Sequence, residues 1–108
     1  MTRLNGEYGM LITTVSSRDD AIKIVEALLA DKLAACVQIL PIQSYYTWKG
    51  ETANEDELLL LIKTRTALFE EIIAEVKKIH PYETPEIVAT DFITGLSDYF
   101  EWISEVTK

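Results

Sequence analysis

Apolar and polar residues along this chain switch between strand-like and helix-like spacings, and the switches mark out its elements. Met10-Leu11-Ile12-Thr13-Thr14-Val15 is apolar and β-branched, as a strand requires. Ser16-Ser17 stops it, and Ser17 followed three residues later by Asp20 resembles a capping box with Asp in place of Glu. Ala21, Ile22, Ile24, Val25, Leu28 and Leu29 then share one side of a helical wheel, with Lys23, Glu26 and Ala30 opposite, which predicts an amphipathic helix. Residues 35–40, Pro41 and residues 42–48 form a long strand-like stretch. Pro41 has no N–H, so it must fall at an edge, a bulge or a bend. Lys49-Gly50 predicts a polar turn, and residues 51–56 a solvated acidic connection. Leu58-Leu59-Leu60-Leu61-Ile62 lacks alternation, as expected of a strand buried on both faces, although a helix gives the same run. Leu68, Phe69, Ile72, Ile73, Val76 and Ile79 define a second amphipathic helix. Acids near its start and lysines near its end suit the helix dipole, and Pro81 ends it. Residues 87–93 predict a fourth strand, Gly95 a break, and Ser97-Asp98 the opening of a short last helix.

The resulting order is β-α-β-β-α-β with an extra C-terminal helix. Two right-handed crossovers then give an α+β, ferredoxin-like sandwich with both main helices on one face of an antiparallel sheet. Only the short last helix is left to shield the other face, yet the strands are apolar at both parities. That pattern predicts self-association. No linker, repeat or low-complexity segment interrupts the chain, so residues 1–108 read as a single domain.

Composition narrows the partners. With 18 acidic and 10 basic residues the net charge is -8, which argues against nucleic acid or an anionic membrane as a partner, both being polyanions. The lone Cys36 cannot form an internal disulfide and fits a reducing compartment. Residues 1–9 are polar and lack the apolar run of a signal peptide, and the apolar run 58–62 is too short to span a bilayer. The expected location is cytoplasmic.

Candidate chemistry is sparse. Cys36, flanked by Ala35 and Val37, reads as a small buried hydrophobe. With no nucleophile elbow and one histidine, the chain is not expected to be an enzyme. The first loop, Val15-Ser16-Ser17-Arg18, carries no thiolate pair, and glycines at 6, 9, 50 and 95 are too scattered to cradle phosphate. His80-Pro81-Tyr82-Glu83-Thr84-Pro85-Glu86 holds the only histidine, two of three prolines and two carboxylates. It reads either as a cation site built from His80, Glu83 and Glu86, or as a helix stop in which His80 meets the last carbonyls and the prolines fix the exit. Tyr45, Tyr46 and Trp48 suit cross-strand pairing in a hairpin, or a subunit interface, the preferred reading. Lys63 and Arg65 either rim a cleft or balance nearby acids.

Five segments resemble one family in register: Ala34-Ala35-Cys36-Val37, Tyr46-Thr47-Trp48-Lys49-Gly50, the run from Leu58 to Arg65, the run from His80 to Ile87, and Asp98-Tyr99-Phe100-Glu101-Trp102-Ile103. Together they are similar to the CutA divalent-cation-tolerance family over essentially the whole chain. The resemblance implies a ferredoxin-like protomer, a tightly intertwined homotrimer similar to the PII signalling proteins, and a link to copper and other divalent cations. It brings no enzyme chemistry and no obligatory cofactor. Members with proposed copper ligation carry a cysteine on the first strand and two adjacent histidines before the Pro-Tyr. Thr13 and Ile79 stand there in this chain, leaving His80. What remains is a cleft candidate of His80, Tyr82 and Glu86 with Lys63 and Trp48 from the same or a neighbouring subunit. The expectation is a cytoplasmic homotrimer that binds copper or zinc weakly. The alternative is a PII-like sensor taking a small anion or nucleotide near Lys63, and a third reading is a trimer with no small ligand.

Overall fold

A computed structural model describes residues 6–108. The first five residues, which begin the N-terminal stretch judged unlike a signal peptide, lie outside the described residues. The elements run β1 (Tyr8–Val15), α1 (Arg18–Ala30), β2 (Cys36–Trp48), β3 (Glu51–Arg65), a 3-10 turn (Thr66–Leu68), α2 (Phe69–Ile79), β4 (Ile87–Asp91) and α3 (Ser97–Val106). The sheet order is β2-β3-β1-β4 with every neighbouring pair antiparallel. The α+β, ferredoxin-like layout with an added helix is the one the hydrophobic pattern predicts.

Register assigns the two faces. Leu11 pairs with Ile62, Thr13 with Leu60 and Val15 with Leu58. Leu11, Val15, Leu58, Leu60 and Ile62 meet Ala21, Ile24 and Leu28 of α1 and Ile72 and Val76 of α2 in one core. Burying this apolar area is the main force holding helices to sheet, at roughly 25 cal/mol per Å². Ser17 caps α1: its hydroxyl accepts the Asp20 N–H at 3.1 Å and donates to the Asp20 carboxylate at 2.9 Å.

Among the described residues the opposite face is covered at one end only. There α3 packs Phe100 and Ile103 against Tyr8, with the Tyr8 and Phe100 rings stacked at 4.8 Å. Elsewhere on that face Leu40, opposite Leu59, is 45% exposed, and Val88, opposite Ile12, is 52% exposed.

Three boundaries differ from the sequence-based expectation. Residues 51–56 are no connection: β3 starts at Glu51 and pairs with β2 residue for residue from Trp48↔Glu51 to Cys36↔Lys63. Backbone pairing across a tight turn outweighs the poor strand propensity of these acids. The fourth strand ends at Asp91, because Phe92 turns toward α3, its ring 6.3 Å from that of Phe100, and Ile93 is left exposed. The second helix begins as a 3-10 turn through Leu68. Pro41 lies in β2, an edge strand, where a residue without an N–H is tolerated.

Candidate functional site

The site lies between the long β2–β3 hairpin and the corner joining α2 to β4. The hairpin closes through Lys49 (φ +50°) and Gly50 (φ +80°), a two-residue turn with both residues left-handed. Such a turn matches the twist of the flanking strands, which lets the pairing extend without a break. Alternation then places Tyr46 and Trp48 of β2 and Glu55 and Glu57 of β3 on the face away from α1 and α2.

The corner is fixed by His80. Its N–H closes α2 on the Val76 carbonyl at 2.8 Å, and its backbone is extended (φ -71°, ψ 135°), as the following Pro81 demands. Its Nε2 lies 2.8 Å from the Thr14 carbonyl, and its Nδ1 accepts the Tyr82 N–H at 3.1 Å. A carbonyl only accepts and an amide N–H only donates, so the proton sits on Nε2 and the ring is neutral. His80 is 9% exposed, with the Tyr82 ring edge-on at 4.8 Å. Both nitrogens are thus committed to the protein's own backbone.

Tyr82 carries the link onward. Its hydroxyl donates to Glu57 Oε2 at 2.7 Å, tying the corner to the hairpin. Burial first, then this hydrogen bond, pushes the Tyr82 phenol up to about 12, against a smaller opposing effect of Ser16. The Tyr46 hydroxyl donates to Glu55, and that bond is the main reason its phenol is also raised. Glu57 is 9% exposed, and among the described residues none of the ion pairs involves it.

Between hairpin and corner opens a cleft of about 750 Å³. Glu55, Glu57, Glu83 and Glu86 line it together with Tyr45, Tyr46, Trp48 and Tyr82, and among the described residues none that line it is basic. Of the predicted site residues, the structure brings Glu83, Glu86, Trp48 and Tyr82 to this cleft. His80 stands behind it as a support. Lys63 is elsewhere, its Nζ 5.8 Å from the ring centroid of Tyr99 on α3. Tyr45, Tyr46 and Trp48 face Asn54, Ala53 and Glu51 across the hairpin, so they form no aromatic cross-strand pairs.

Glu55 falls in the stretch 51–56 that its composition marks as a connection, and Glu57 stands between that stretch and the apolar run from Leu58, so neither is a candidate from sequence. The signal was there: Lys49-Gly50 as a two-residue turn forces strand pairing on both sides, and the two glutamates then share a face.

The donor set does not suit a chelated copper or zinc ion. His80 has no free lone pair, and among the described residues no three His, Cys, Asp or Glu side chains are grouped to hold a metal ion. His80, Glu83 and Glu86 are therefore not assembled as a chelating set within one subunit.

Comparison with known proteins places the chain. Residues 9–106 match the family model described as CutA1 divalent ion tolerance protein. The divalent-cation tolerance protein CutA of Thermus thermophilus is 43% identical over 99 residues, spanning 91% of this chain and 96% of that one. The solved structure of a protein described as the periplasmic divalent cation tolerance protein CutA from Archaeoglobus fulgidus superposes with a TM-score of 0.91 at 38% identity, covering 94% and 99% of the two chains. CutA from Synechococcus elongatus gives a TM-score of 0.94 at 31% identity, over 99% and 95%.

Proposed function

This chain belongs to the CutA1 divalent ion tolerance family, and from that premise we propose that it acts in divalent-cation tolerance as a binding protein rather than an enzyme. In this reading the acid-lined cleft attracts copper, zinc or another divalent cation as a hydrated ion, held by charge. The observation that carries it is Glu57, a carboxylate nine-tenths buried with no ion pair among the described residues, at a cleft that three further glutamates line. A buried charge without a counter-ion is costly, and a cation in the cleft relieves that cost.

The active form in this proposal is a PII-like homotrimer in the cytoplasm. The exposed Leu40 and Val88, on the edge strands of the half-covered sheet face, support association, because a monomer leaves that face wet. Among the described residues no helix is long and apolar enough to cross a membrane. The reading with an anion or nucleotide near Lys63 draws no support from the cleft, whose lining has no basic side chain among the described residues.

Equilibrium dialysis against copper and zinc tests the proposal. Saturable binding that weakens with added salt and drops in Glu57→Gln agrees with it. Binding indifferent to both changes, or none at all, sinks it.

A further inference from the structure

We propose that His80 is a built-in acid switch: a proton on its Nδ1 detaches the Tyr82 backbone from the α2–β4 corner and spares the bond to β1. The two ring nitrogens hold different partners. Nε2 donates to the Thr14 carbonyl at 2.8 Å, and Nδ1 accepts the Tyr82 N–H at 3.1 Å. The β1–β4 ladder ends at Thr13↔Ile87, and the ring takes the next β1 carbonyl in place of a strand. A neutral imidazole offers one donor and one acceptor, which these two partners require. An imidazolium offers two donors and no acceptor. It still satisfies the Thr14 carbonyl, but at Nδ1 one N–H then faces another. The ring is only 9% exposed, so the two donors cannot both turn to water unless the corner moves.

The break reaches the hairpin because Tyr82 is held at both ends. Its N–H rests on His80, its ring meets the imidazole edge-on at 4.8 Å, and its hydroxyl donates to Glu57 Oε2 at 2.7 Å. Pro81 has no N–H, so no adjacent backbone donor replaces the lost anchor. Freeing the Tyr82 backbone therefore loosens the hydroxyl from Glu57, and with it the tie between corner and hairpin. Each element at the corner brings its own groups toward the ring. β3 brings Glu57 through Tyr82, the corner carries Glu83 and Glu86, and α2 carries Lys77 and Lys78 in its last turn. β1 brings the uncharged Thr14 carbonyl, and β4 opens on the apolar Ile87 and Val88. Among the described residues no carboxylate lies within ion-pair reach of the ring, so no acid offsets the clash by accepting the new Nδ1 proton. Every bond of the switch is made within one chain.

An NMR titration of the full chain from pH 8 to 5, the range across which an imidazole changes charge, tests the proposal. Ring nitrogen-15 shifts report the charge on His80. Hydrogen exchange, corrected for its intrinsic pH dependence, reports the Tyr82 N–H. The expected result is a loss of protection at Tyr82 of at least about fivefold, in step with the ring and with a shift of the Glu57 carboxyl carbon. Amides in the middle of β1 keep their protection. His80→Gln supplies a donor and an acceptor but no charge, so Tyr82 protection stays constant in that variant over the same range. A Tyr82 N–H indifferent to a charged ring overturns the proposal, as does the same loss in His80→Gln. A ring still neutral at pH 5, or a chain that unfolds as a whole before the ring charges, also overturns it. The titration of the native chain decides the matter even if His80→Gln does not fold.

Discussion

The Tyr82 hydroxyl donates to Glu57 Oε2 at 2.7 Å, and this one bond joins the α2–β4 corner to the β2–β3 hairpin across the cleft. Removing it with Tyr82→Phe leaves a nearly buried carboxylate without its donor. Loss of a partner to such a group costs about 1–3 kcal/mol, so thermal or urea unfolding shows a drop of that size. A melt unchanged within error would mean the bond is made equally well by water.

The same residue sets an alkaline limit. The Tyr82 phenol is raised from 10.0 to about 12 by burial and by Glu57. The folded state thus holds this proton more tightly than the unfolded state does. Its stabilising effect is complete below about pH 10 and is lost as pH rises toward 12. Stability of the native protein should fall more steeply across that window than stability of Tyr82→Phe. Parallel curves would remove Tyr82 from the account.

His80 is a strut. His80→Ala deletes two hydrogen bonds and leaves the Thr14 carbonyl and the Tyr82 N–H to find new partners, a loss of about 2 kcal/mol at roughly 1 kcal/mol per bond. Nitrogen-15 spectra of the native protein should show the neutral tautomer with its proton on Nε2. A proton on Nδ1 would contradict the assigned bonds.

Thr13 presents the opposite case. Its side chain is fully buried, and its hydroxyl is the buried side-chain oxygen or nitrogen left without a partner among the described residues. Thr13→Val removes that hydroxyl from the core between β1 and the helices. A stabilisation of about 1 kcal/mol follows from the cost of burying an unbonded hydroxyl. Destabilisation of similar size would reveal a hidden partner.

Leu40 and Val88 probe the bare sheet face. Placing a charge there, as Leu40→Asp or Val88→Asp, costs a monomer little because both are exposed. In an assembly that covers the face it buries an unpaired carboxylate, which is strongly unfavourable. Light scattering should show the native mass fall toward one chain in these variants. A mass equal to one chain in the native protein would refute assembly outright.

The fold was legible because its core follows simple periods. Leu68, Ile72 and Val76 repeat at helical spacing, and Leu11, Thr13 and Val15 at strand spacing. The acidic half of β3 was not, since Glu51 to Asp56 has the composition of a loop and becomes a strand only through its partner across the Lys49-Gly50 turn. The same non-local cause hid Glu57. Its chemistry depends on Tyr82, 25 residues away, and on burial that no local pattern encodes. For His80 the sequence left a cation ligand and a helix stop both open. Which of its two open roles it plays depends on where Thr14 lies, 66 residues earlier, and that is a matter of sheet topology.

The central claim is that cations are held at this cleft by carboxylate charge, with His80 in a purely supporting part. The most direct measurement is a calorimetric zinc titration of the native protein, Glu57→Gln and His80→Gln side by side. The account predicts about a tenfold loss of affinity in Glu57→Gln and less than about a twofold change in His80→Gln, provided the latter is folded by circular dichroism. The reverse order, with binding abolished by His80→Gln and intact in Glu57→Gln, would contradict it.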